Sequence, residues 1–326
     1  MPGARIQTAR RDHWAFLTKT KFVLSLITRE NDYQREQARS AETVAQRLNV
    51  DLEILYADND SVTQSSQLLD TIHKYKSELT GILVEPAGGT EFPQVGNAAV
   101  NVGAAWVVLN RSASSLSDLR RKSTVPVFAV SSDHGEVGRI QAAQLAALLP
   151  GGGTVLCVQG PSSSAAAQQR MAGLLEARPD NLILKVLKSS NWTEDAGYHA
   201  VASWLKLSIS RQQPIHAVAG QNDAIALGAR RAFEEIRGQA DAFHWSSLPF
   251  LGVDGLARTG QASVSAGTLS ATIIVPAVAG PALEIAVRAL AGKSQPQDLH
   301  LIQSVSFPDI ETLGARARSQ VSGVRS

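Results

Sequence analysis

The chain of 326 residues contains one cysteine, Cys157, so no disulfide can form within it. That cysteine lies in the apolar run Thr154-Val155-Leu156-Cys157-Val158, where a thiol acts as a small hydrophobe. Long hydrophobic runs are also missing. Nothing approaches the roughly 20 apolar residues a bilayer crossing needs, and the mean hydropathy is −0.04. Before Lys21 only Trp14-Ala15-Phe16-Leu17 is apolar, shorter than the roughly 7 to 15 residues of a secretory core. Met1–Thr20 therefore reads as a solvated tail, and the residues alone leave the cytoplasm open as a location. Charge of one sign is scarce as well. The net charge is +2, with acids and bases interspersed, which gives no case for nucleic acid as a partner.

Catalytic constellations are absent too. The seven histidines never take the paired spacing of a zinc helix, and no second cysteine supports a metal site. Asp133-His134-Gly135-Glu136 reads as a helix start, with Asp133 as the cap and Glu136 at capping-box spacing. Gly160-Pro161-Ser162-Ser163-Ser164 lacks the Gly-x-Ser-x-Gly nucleophile elbow. Gly151-Gly152-Gly153 lacks a Gly-Lys-Ser/Thr ending and precedes a strand, so it reads as a turn. The expectation is a protein that is not an enzyme and carries neither cofactor nor metal.

What is present is a repeated strand–helix rhythm. Phe22–Ile27, Leu52–Tyr56, Gly81–Val84, Ala105–Leu109 and Val127–Val130 read as strands, with helices over Asn31–Leu48 and Ser61–Glu78 and another ending near Gly103. Val62, Leu68, Leu69 and Ile72 are expected to face inward. Ser112–Pro126 breaks the rhythm and reads as a loop whose Arg120-Arg121-Lys122 is a solvated face. A second series follows, with strands near Thr154–Gln159, Leu182–Leu187, Ile215–Ala219 and Phe250–Val253. Its helices lie near His134–Leu149, Ser164–Ala177, Thr193–Ser210 and Asp223–Arg237. Ala271–Val275 and Ala277–Ala291 close the pattern as a strand and a helix before a polar tail. Such alternation implies right-handed crossovers and parallel sheets, and the length favours two α/β lobes over one core.

Polar residues gather just past the carboxyl ends of these strands, where ligands bind in open parallel sheets. They are Glu30-Asn31-Asp32-Tyr33, Asn110-Arg111, Gln159 to Arg170, Trp192, Gln221-Asn222-Asp223 and Asp254. Amide and carboxylate oxygens accept hydrogen bonds and guanidinium groups donate them, which suits hydroxyls. Trp192 and Tyr33 offer faces for the C–H side of a sugar ring. Taken singly, Trp192 fits ordinary packing and Asn222 fits a helix cap.

Ala217-Val218-Ala219-Gly220-Gln221-Asn222-Asp223-Ala224-Ile225-Ala226-Leu227-Gly228-Ala229 resembles the Gln-Asn-Asp signature of the ribose-type periplasmic sugar-binding proteins. Leu251-Gly252-Val253-Asp254-Gly255 resembles their Gly-Phe-Asp-Gly segment, and Gln159-Gly160 followed by Ala165 to Gly173 their Gln-Gly and Ala-x-x-Arg-x-x-Gly stretch. Asn110-Arg111 stands at their Asp-Arg, and Asp133-His134 at the Asp-Asn opening the second lobe. The resemblance runs from about Lys21 to Lys293. It implies a type 1 periplasmic binding protein: two Rossmann-like α/β lobes of parallel sheet, joined by a hinge the chain crosses three times and closing on a monosaccharide or polyol. Arg111, Arg170, Asn222 and Asp254 would hydrogen-bond the ligand, with Asn31 and Asn110 as further polar contacts and Trp192 and Tyr33 as stacking walls. Asp254 and the ligand would compensate the two arginines. Ile27, Gln34, Asn110 and Val275 depart from the ribose pattern.

The same resemblance implies lobes of 21–131 plus 273–295 and 132–272 plus 296–312, with tails at 1–20 and 313–326. The hinge would comprise the strands near Ser131, Ala257–Thr272 and the segment after Gln295. It further implies a periplasmic or cell-envelope monomer, without membrane insertion, delivering its solute to an ABC transporter permease or a sensor. The alternative of the same fold is the effector core of a lactose-repressor-like regulator. That would need a helix-turn-helix of roughly 50 to 60 residues ahead of the lobes, where the sequence has Met1–Thr20.

Overall fold

The computed structural model describes residues 20–88, 92–111, 116–208, 210, 214–235 and 247–323. Residues 1–19 of the expected tail, Ser112–Ser115 and Arg237 lie outside them, and Thr20, the last residue of that tail, is buried. Strands β1 (Lys21–Leu26), β2 (Asp51–Tyr56), β3 (Leu79–Val84), β4 (Ala105–Leu109), β5 (Val127–Ser132) and β11 (Leu299–Ile302) form a parallel sheet ordered β11-β5-β4-β3-β1-β2. Phe22, Leu24, Val107 and Phe128 are buried completely, as apolar strands covered on both faces must be. Helices α1 (Asp32–Leu48) and α10 (Ala279–Gly292) cover one face, where Ala38, Ala41 and Ala45 meet the core with Ala282, Leu283 and Ala286. Helices α2 (Ser61–Tyr75) and α3 (Pro93–Asn101) cover the other through Leu68, Ile72, Val95 and Ala99.

The second sheet, ordered β7-β6-β8-β9, is built from β6 (Gly153–Gln159), β7 (Leu182–Lys188), β8 (Ala217–Gly220) and β9 (Phe250–Leu251). Helices α7 (Glu194–Leu205) and α8 (Asp223–Glu234) pack on one face, with Val264 of the short α9 (Gly260–Ser265) in the same cluster. Helices α5 (His134–Leu148), α6 (Ala165–Ala177) and α11 (Ile310–Gly323) pack on the other. Two similar doubly wound units thus share one chain. No helix of the described residues is long and apolar enough to cross a membrane, and no cluster of three or more His, Cys, Asp or Glu side chains among them could hold a metal ion.

The chain passes between the units after β5, between β10 (Thr272–Ile274) and α10, and between β11 and β12 (Val305–Phe307). These passages lie side by side: Ser132 pairs with Ile302 on the first sheet, and Ile274 with Val305 on an antiparallel ribbon.

Several expectations are corrected. Val62 and Leu69 are 75 % and 44 % exposed, because the buried stripe of α2 follows Gln64, Leu68 and Ile72 at four-residue spacing. Part of the expected loop is a helix, α4 (Ser117–Lys122). Arg120 in it is not a solvated charge, since its guanidinium donates to the carbonyls of Val127, at 2.6 Å, and Pro296. Leu299–Ile302 joins the first sheet rather than the second lobe, through a parallel ladder with Ala129–Ser132. Ala257–Thr272 is not a hinge, since Val264 and Leu269 belong to the second core. Residues 313–323 are helical rather than a tail, and Leu313 is 1 % exposed against the second sheet's core.

Candidate functional site

A cleft between the carboxyl ends of the two sheets holds about 780 Å³ of empty space, part of it open to solvent. Asn31, Tyr33, Asn110 and Arg111 line it from the first lobe, and Arg170, Trp192, Asn222 and Asp254 from the second. The eight residues expected to touch a ligand thus reach one cleft, while Asp32, Gln159, Gln221 and Asp223 from the same strand ends are not in its lining. The reason is local. All of the eight but Arg170, which lies inside α6, sit where a strand has ended and the chain turns toward the next helix, and helix caps fix several of those turns. Asn31 Oδ1 accepts from the Gln34 N–H at 3.2 Å, Ser164 caps α6, Thr193 caps α7, and Asn222 Oδ1 accepts from the Ile225 N–H at 2.8 Å. Asp133 caps α5 through the Glu136 N–H, whereas the Glu136 carboxylate turns to Arg139 instead of closing a capping box.

The second-lobe wall is organised around Arg170, which is 6 % exposed. Its guanidinium donates to the Gln221 carbonyl, approaches Asp254 Oδ1 at 3.7 Å, and stands 5.7 Å from the centre of the Trp192 ring. Its Nε is buried with no partner. The indole lies flat against Gly160, where a Cβ would come within 2.3 Å of the ring, so glycine there is a steric requirement. Asn222 Nδ2 donates to the Trp192 carbonyl at 2.9 Å, which means this one side chain both caps α8 and holds the tryptophan loop.

Asp254 takes φ +104°, a region costly for a residue with a side chain. Its own N–H donates to the Ile273 carbonyl at 3.0 Å, and the next N–H, of Gly255, donates to Asp223 Oδ2 at 2.8 Å. Burial raises the Asp254 carboxyl to about 7, with Arg170 pulling the other way. Burial, and then the neighbouring Asp254, raise Asp223 to about 8. Asp223 is a support: its oxygens take the Gly255 N–H and the Thr272 hydroxyl.

On the first-lobe wall the structure revises one expected departure. Asn110 removes a carboxylate from the end of β4, but Asn110 Nδ2 donates to Glu85 Oε1 at 3.1 Å. Glu85, 5 % exposed at the end of β3, restores an acid to the cleft. Gln37 Nε2 donates to its other oxygen at 3.3 Å, and burial raises its pKa. Arg111 donates to the carbonyls of Asn110, Pro86 and Gly88 at 2.7 to 3.0 Å, and its charge acts on Glu85. Tyr33 donates its hydroxyl to the Pro276 carbonyl at 3.2 Å, and burial raises its pKa. Of the other departures, Ile27 and Gln34 line the cleft, while Val275 packs with Val137, Val253 and Ile273 between the lobes.

Sequence reasoning missed Glu85 and His134, both in this lining. Glu85 directly follows a strand, so the strand-end rule applied to Val84 finds it. His134 was masked by the capping role of its neighbour Asp133. The arrangement offers hydrogen-bond donors and acceptors on both walls and an indole face, a set that can surround a polar solute.

A model of the periplasmic binding protein domain matches residues 22–294. The ribose import binding protein of Bacillus subtilis is 26 % identical over 250 residues, 77 % of this chain and 74 % of that one. An ABC transporter periplasmic solute-binding protein from Actinobacillus succinogenes with bound D-allose superposes with a TM-score of 0.76 at 20 % identity, covering 90 % of this chain and 99 % of the other. The periplasmic component of the arabinose ABC transporter from Shewanella gives 0.74 at 20 %, covering 94 % and 98 %.

Proposed function

The chain belongs to the periplasmic binding protein family, and we propose that it is a non-enzymatic solute-binding protein that closes its cleft on a monosaccharide or related polyol. One observation carries the reading: the two lobes aim Asn31, Asn110 and Arg111 from one side and Arg170, Asn222 and Asp254 from the other at a single cleft bearing the Trp192 face. The names of the relatives agree in kind, since the Bacillus relative is a ribose import binding protein and the Actinobacillus structure holds D-allose.

Mechanistically, closure expels water and strengthens each hydrogen bond, and a ligand favours the closed form by its differential affinity for it. Arg170 is held between Asp254 and Trp192 before ligand arrives, which lowers the ordering cost of binding. On this reading the protein works as a monomer in the periplasm or cell envelope and hands its solute to an ABC permease or to a sensor that reads the closed form, which family membership supports. A thermal-shift screen with D-ribose, D-allose, L-arabinose and myo-inositol tests the core claim, because whatever binds only the native state raises the melting temperature. A saturable rise with at least one of them is expected; no rise with any of them at millimolar concentration overturns the reading.

A further inference from the structure

We propose that His134 is a direct ligand contact, reading hydroxyl groups from the start of α5 and selecting an uncharged polyhydroxylated solute over charged sugars. The inference rests on the solute-binding reading above and adds to it a specificity-determining residue. His134 lines the cleft and is 4 % exposed. Neither ring nitrogen has a hydrogen-bond partner, and a buried polar group left in that state is costly. Two further atoms in the same lining, Asn110 Oδ1 and Arg170 Nε, are buried without partners. Unmet acceptors and donors therefore converge on one space from both lobes.

The ring also restricts what can satisfy it. Burial, together with the charges of Arg170 and Arg111, holds its pKa well below the ordinary histidine value, so it is neutral and presents one N–H donor and one bare nitrogen acceptor. A hydroxyl both donates and accepts, so neighbouring hydroxyls on a ring satisfy both nitrogens. A carboxylate offers acceptors alone and leaves the bare nitrogen unmet. An ammonium offers donors alone and meets the fields of Arg170 and Arg111. Within the cleft the two arginines already face acids, Arg170 beside Asp254 and Arg111 in the field of Glu85.

The test uses the full chain and whichever of D-ribose, D-allose, L-arabinose and myo-inositol gives the largest melting shift, with D-glucuronate and D-glucosamine as charged probes. His134→Phe keeps the ring volume and removes both polar atoms; His134→Asn keeps one donor and one acceptor. Calorimetry is expected to show binding at least tenfold weaker in H134F and less than tenfold weaker in H134N, and both charged probes at least tenfold weaker than the neutral one in the wild type. The His134 ring nitrogen resonances, assigned by their loss in H134N, should shift when the neutral probe is added to the wild type, a readout that holds even where H134F does not fold. Loss of less than tenfold in a folded H134F, an unshifted ring resonance, or tighter binding of a charged probe overturns the inference and leaves the solute-binding reading standing. Failure of every neutral probe with the wild type overturns that reading itself.

Discussion

The Arg170 guanidinium lies 3.7 Å from the Asp254 carboxylate while facing the Trp192 ring at 5.7 Å. A cation held between an acid and an indole is oriented before any ligand arrives. Removing either neighbour leaves a charge that is 6 % exposed with weaker compensation. Asp254→Ala and Trp192→Ala are each expected to weaken ligand binding by about 2 kcal/mol or more, as losses at buried anchors do. Isothermal titration with the best probe from the screen checks this, and unchanged affinity in both variants removes these residues from the site.

The two buried acids give the ligand-free protein a defined response to pH. Their folded-state values of about 7 for Asp254 and about 8 for Asp223 lie above the unfolded value near 3.9. The folded state therefore holds more protons than the unfolded state between those limits, and stability falls as pH rises through that window. The melting temperature of the ligand-free protein should drop from pH 5 to pH 8. Asp223→Asn should flatten the slope, by at most about 1.4 kcal/mol per pH unit for one proton. A melting temperature that rises over that range contradicts the assignment.

Asn222 separates folding from binding. Asn222→Asp keeps the oxygen that caps α8 and loses the donor to the Trp192 carbonyl, so stability should hold while affinity drops. Asn222→Ala loses both, and a helix cap contributes about 1 kcal/mol. Paired melting and titration curves for the two variants read the difference. Equal destabilisation by both would show that the cap plays no separate part.

The alternation of strand and helix fixed the architecture, because buried parallel strands and covering helices leave strong periodic patterns from Phe22 to Ala291. The strand-end rule also found most of the cleft. What it missed was long-range or overlooked. Leu299–Ile302 is a short strand after a polar segment, and only its ladder with Ala129–Ser132 makes it part of the first lobe. Arg120 looked solvated in a basic triplet because its partners, the carbonyls of Val127 and Pro296, are invisible to local pattern. Glu85 stands alone at a strand end, without a motif of the kind that drew notice to Asn222 and Asp254, and His134 sits in a motif whose visible role is the helix cap of Asp133.

The C-terminal helix shows the same limit with a measurable cost. Leu313, 1 % exposed, packs in the cluster of Ala142, Leu145 and Leu174. Leu313→Ala should destabilise the second lobe by about 2 to 4 kcal/mol, which urea unfolding would resolve. A loss below about 0.5 kcal/mol would return this segment to the status of a surface appendage.

The adjacency of Ser132 with Ile302 and of Ile274 with Val305 makes the join between the lobes a band several backbones wide. A band of that kind folds readily about the line across it and resists shear and torsion. On the solute-binding reading, a single swing about that line is the motion such a band favours, which leaves little relative orientation for a bound solute to freeze out. On the same reading, what Arg170, Asp254 and Trp192 contribute to affinity goes to discriminating between solutes.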